Sequence, residues 1–120
     1  MNYKLMEDSK TEKFKMDPQD LLYYVVKAIE KMGYKYTIST EGFPGAGLLR
    51  IVRIKDIDVK FIIHGFGGDT WLEMGPASKY KELISKFIFE LVNILPEKPW
   101  NRITRRFWIK RWPILKEIGD

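Results

Sequence analysis

The hydrophobic period of this chain changes at Gly33, and that single change limits it to folds in which a helical layer meets a sheet. Before Gly33, Leu21, Leu22, Val25, Val26, Ala28, Ile29 and Met32 recur at helical spacing on one side, while Tyr23, Lys27, Glu30 and Lys31 share the other. Asp17 stands in the N-cap position, Pro18 at the first helical position and Gly33 at the stop, so both ends of the helix are marked. After Gly33, Tyr34, Tyr36 and Ile38 alternate with Lys35, Thr37 and Ser39, the period of two that marks a half-buried strand.

The same alternation continues beyond a glycine-containing loop at 41–47. A second strand is expected over 48–55, a third through Val59, Phe61 and Ile63, and a fourth over 70–74. Asp56, Ile57 and Asp58 make a tight connection, and Gly65, Gly67 and Gly68 supply the positive φ that a hairpin needs. Connections this short give an antiparallel meander. Residues 75–78 then open a second helix, whose stripe of Tyr80, Leu83, Ile84, Phe87, Ile88, Leu91 and Leu95 runs to Pro96. The expected architecture is a two-layer α+β domain: a helix, a four-stranded antiparallel meander and a second helix, followed by a basic aromatic segment. Residues 1–16 read as a polar lead, 17–96 as the core domain, and 97–120 as a C-terminal segment packed on that core. A chain of 120 residues has room for one such core.

Composition removes several classes of chemistry. With no Cys, disulfide staples, thiol catalysis, iron–sulfur clusters and Cys-ligated zinc are excluded. The only His is His64, expected at the end of the third strand, where a hydrogen bond at the surface is its ordinary use. The carboxylates close to it in the chain, Asp69 and Glu73, belong to the next strand, and Asp69 could approach it across the hairpin, which makes at most a dyad without a nucleophile. The glycine stretches lack the Gly-Lys-Ser/Thr ending of a phosphate loop and precede strands instead of helices. Asp56 and Asp58 are too few acids to complete a shell around Mg²⁺ or Ca²⁺. No catalytic residue, metal, cofactor or small-molecule substrate is therefore expected. The N-terminus lacks the apolar run of a signal peptide, and no segment approaches the roughly 20 apolar residues of a membrane span, so a cytoplasmic protein is expected. Heavy use of Ile, Lys and Glu with a single Gln is a bias met in thermophile proteins.

The charge is where the sequence becomes suggestive. In residues 97–120, Lys98, Arg102, Arg105, Arg106, Lys110, Arg111 and Lys116 stand against Glu97, Glu117 and Asp120, which places +4 of the chain's net +5 in this segment. Trp100, Trp108 and Trp112 interleave with these cations. Drawn as a helix, Trp100, Ile103, Phe107, Trp108 and Trp112 share one side, and Arg102, Arg105, Arg106 and Lys110 the other, with Arg111 and Ile109 out of place. A strand also accommodates the pattern, but Pro99 suits the first turn of a helix and Pro113 its end.

Guanidinium forks match phosphate oxygens, and aromatic faces stack on unpaired bases. The expectation is accordingly a non-enzymatic module that contacts a polyanion, foremost nucleic acid, through Arg102, Arg105, Arg106 and Lys110, with Trp108 and Trp112 stacking or anchoring. An anionic membrane surface is a weaker fit to the same residues. The alternative is a homodimeric interaction or chaperone-like module using the second helix or the sheet face. Phe89, opposite the stripe of its helix, and Phe66, in the hairpin, are the apolar residues left for that role.

Overall fold

A computed structural model describes residues 5–44 and 47–119, the side chains of Phe43 and Phe66 excepted. The chain is α+β, with a five-stranded antiparallel sheet and three α-helices. In chain order the elements are β1 (Lys10–Phe14), α1 (Pro18–Lys31), β2 (Tyr36–Phe43), β3 (Gly47–Ile54), β4 (Lys60–Phe66), β5 (Asp69–Gly75), α2 (Lys81–Ile94) and α3 (Arg105–Arg111). A 3₁₀ turn, Pro113–Glu117, follows α3. The strands lie in the order β1-β5-β4-β3-β2. The four expected strands form the meander, and β1 adds a fifth at its far edge.

That fifth strand corrects the expected four-stranded sheet and the polar lead at 1–16. Lys10, Thr11, Glu12, Lys13 and Phe14 contain too few apolar residues to show a buried alternation, yet they pair with β5 from Lys10↔Met74 to Phe14↔Thr70. An edge strand needs only one hydrogen-bonded neighbour, so its polar composition is no obstacle. The loop at 41–47 is also tighter than expected, because β2 and β3 remain paired to Phe43↔Gly47. Helix α1 keeps its expected place, but Asp17 caps it with backbone only: its carbonyl accepts from Leu21 N–H at 3.0 Å, and its carboxylate makes no capping bond.

Both helices α1 and α2 lie on one face of the sheet. Leu21, Val25, Ala28 and Ile29 of α1 and Ile84, Phe87, Ile88, Leu91 and Val92 of α2 share one apolar core with Val52, Phe61 and Met74, which face one another across three strands. The Phe61 and Phe87 rings meet at 4.2 Å between centroids.

The opposite face has its own cover, which the two-layer expectation omitted. Ile51, Ile62 and Glu73 form a row across β3, β4 and β5, and Leu5 and Met6 pack on the Leu49, Ile51 and Ile62 cluster. Glu73, fully buried, accepts from the Leu5 and Met6 N–H groups at 2.8 and 2.7 Å and from the Ser9 hydroxyl at 2.8 Å. Three donors held on one carboxylate pin the segment before β1 across the sheet. The same segment delays α2. Ala77 N–H donates to the Asp8 carbonyl and Ser78 N–H to the Asp8 carboxylate, so residues 76–80 are tied to it and the helix starts at Lys81. A Cβ on Gly75 would lie 2.5 Å from the Asp8 carbonyl oxygen, and only glycine permits this approach.

Candidate functional site

The C-terminal segment is helical where it is basic. Arg105 N–H donates to the Asn101 carbonyl and Trp108 N–H to the Thr104 carbonyl, while the Asn101 side chain accepts from the Ile103 and Thr104 N–H groups and fixes the entry turn. The helical turns therefore begin before α3 itself, and residues 102–111 follow one wheel.

One side of that wheel is inside the protein. Trp108 and Trp112 retain 6% and 3% of their exposure. Trp108 lies 5.7 Å from the Phe14 ring, and the Trp112 indole N–H donates to Glu12 at 2.6 Å. Both tryptophans anchor the segment to its own chain, so neither offers a face for stacking on a ligand. Burial of these large rings against β1 and the main core outweighs their use at the surface.

Two of the arginines are also committed. Arg111 donates to both Glu12 oxygens, at 2.8 and 2.9 Å, and lies over Trp108 at 4.9 Å from the ring centroid. This explains why Arg111 interrupts the apolar arc: its partner is a buried carboxylate on β1. Arg105 is only partly exposed and donates to the Ile118 carbonyl at 2.9 Å, with its guanidinium 6.0 Å from the Trp100 ring. It ties the residue after the 3₁₀ turn to the helix and lies outside the fully exposed cations.

What remains outside is a compact mixed face. Arg102, Arg106 and Lys110 fall at four-residue spacing and are all exposed, and none has a carboxylate partner among the described residues. Beside them on the wheel, to one side, lie Ile103, 71% exposed, and Phe107, 47% exposed. The Arg106 guanidinium sits 5.0 Å from the Phe107 ring centroid. The apolar arc drawn from the sequence is thus divided: its tryptophans turn inward, while Ile103 and Phe107 turn outward beside the cations.

A cleft of about 750 Å³ opens next to this face, lined in part by Tyr24, Trp100 and Trp108. Its lining carries Lys13, Lys15 and Lys98 against Asp20 and Glu97, and the Lys13 ammonium is directed to Asp69 at 3.7 Å and to the Trp71 ring. A cleft whose cations are nearly offset attracts a polyanion less than the α3 face, which has no acids.

The residues of the alternative reading are placed differently. Phe89 is half-buried and packs against the main core. The Phe66 side chain lies outside the described residues. His64, expected at the surface, is 3% exposed, with its ring stacked at 6.1 Å on Trp71 of the next strand. Burial lowers its pKa, and the Glu73 carboxylate opposes this only in part. Asp58 accepts from the Tyr80 hydroxyl and from Lys79, which lowers its pKa, and Asp56 adopts φ 73 in the turn. Among the described residues no helix is long and apolar enough to cross a membrane.

Sequence reasoning gives Glu12 no role and names Glu73 only as a carboxylate near His64, so it misses what both hold. Each is a lone acid in a polar stretch or a strand, and nothing local shows that its donors come from the far end of the chain. A scan of the chain against protein-family models finds no match, and a search of curated proteins finds none.

Proposed function

We propose that this protein is a non-enzymatic polyanion-binding module whose contact surface is the exposed side of α3, with nucleic acid as the ligand. Arg102, Arg106 and Lys110 hold phosphates, and the buried tryptophans hold the helix in place beneath them. The observation that supports this most is that these three cations project from one side of a helix without carboxylate partners among the described residues. Cations used for stability in this segment do have partners, as Arg111 and Arg105 illustrate. The dimer alternative has less to draw on, because Phe89 packs inward and residues 5–9 cover the second sheet face.

Charge reversal tests the proposal. The Arg106→Glu, Lys110→Glu double variant is expected to lose at least about tenfold in affinity for a short oligonucleotide, since each phosphate contact contributes to a mainly electrostatic binding free energy. Both side chains are solvent-facing, so the unfolding midpoint should stay within the ±0.5 kcal/mol typical of surface changes. Unchanged oligonucleotide affinity in a folded double variant contradicts the assignment.

A further inference from the structure

We infer that the α3 face selects single-stranded over duplex nucleic acid, with Phe107 as the platform on which one unpaired base stacks. The inference rests on the polyanion reading and adds the class of ligand. A purely electrostatic site needs no aromatic ring beside it, yet Phe107 keeps 47% of its exposure with the Arg106 guanidinium already 5.0 Å from its ring. An exposed ring gains nothing from phosphate oxygens. It gains from a flat partner, and a guanidinium alongside adds to the attraction for a base. Ile103, four residues earlier and 71% exposed, extends the apolar surface beside the ring.

Duplex can use the cations but not the ring. Its base faces are covered by their neighbours, and only edges are offered in the grooves. Arg102 to Lys110 spans eight residues at about 1.5 Å each, or about 12 Å, a length that a few phosphates of one strand cover. The face matches a few nucleotides of flexible strand with one base turned onto Phe107 and phosphates on Arg102, Arg106 and Lys110. Trp108 and Trp112, the rings that composition favours for stacking, are 6% and 3% exposed and leave the role to Phe107.

The test compares a mixed-sequence single-stranded oligonucleotide with the duplex of the same length, using wild-type protein and Phe107→Ala, Phe107→Tyr and Arg106→Glu variants. Wild type should prefer the single strand about tenfold, Phe107→Ala should lose that preference while retaining duplex affinity, and Phe107→Tyr should restore it. Arg106→Glu should weaken both ligands. Quenching of bound-base fluorescence, with 2-aminopurine in the oligonucleotide, should disappear in Phe107→Ala alone. Equal binding of single strand and duplex that Phe107→Ala leaves unchanged overturns the inference and leaves the polyanion reading intact. Absence of binding to either, or binding only to vesicles of anionic lipid, overturns both.

Discussion

His64 shows how much the setting of one residue decides. At the end of a hairpin it had the sequence profile of a surface imidazole, but β4 turns it onto the face opposite the helices, where it is 3% exposed. Burial disfavours its charged form and lowers its pKa below the ordinary 6.5, so the unfolded chain binds the proton more readily than the folded one. The stability this contributes is complete above about 6.5 and is lost as the pH falls toward the folded-state pKa. Thermal unfolding followed from pH 7 down to pH 5 should show a falling midpoint in the wild type and a flatter dependence in His64→Gln. Equal slopes for the two proteins would assign the pH dependence to other groups. Glu73 beside it differs in kind: it is a carboxylate whose donors are two amides and a hydroxyl from residues 5–9. Its burial is therefore a consequence of connectivity between distant parts of the chain, and no local pattern announces it.

Among the elements, α1 and the four meander strands were legible because each advertises its own period and its own stops. Leu21, Val25, Ala28 and Ile29 are the buried residues of α1, as the helical spacing requires. Strand β1 was not legible, since an edge strand with one apolar core residue, Phe14, carries no alternation to detect. It is nevertheless the element on which the candidate site depends. Glu12, 6% exposed on β1, accepts from Arg111 and from the Trp112 indole, and so ties α3 to the sheet. Replacing Glu12 with Gln leaves one carbonyl oxygen for three N–H donors and should cost about 2 kcal/mol, the scale of hydrogen bonds to a charged group. Urea unfolding gives that difference. Tryptophan emission should shift to the red as Trp112 gains water, and a variant with native emission and stability would show that the carboxylate is dispensable.

At the scale of the molecule, the C-terminal segment divides its residues between two tasks. Trp100, Trp108, Trp112, Arg105 and Arg111 attach it to the domain, while Arg102, Ile103, Arg106, Phe107 and Lys110 face outward. The sequence displayed the cations and the rings together but could not apportion them, because Arg111 and Arg106 are chemically equal until Glu12 is brought across from residue 12. Of the five cations over residues 102–111, apportioning leaves three for a ligand on the α3 face. That number has a direct consequence. For a single strand the slope of log affinity against log salt is about −0.7 for each phosphate neutralised, so three contacts give a slope of about −2. The decisive measurement is that slope, determined by titrating a fluorescent single-stranded oligonucleotide at several salt concentrations. A slope near −2 that falls toward −0.7 in the Arg106→Glu, Lys110→Glu variant is the predicted result; binding indifferent to salt, or a slope the variant does not change, would contradict the account.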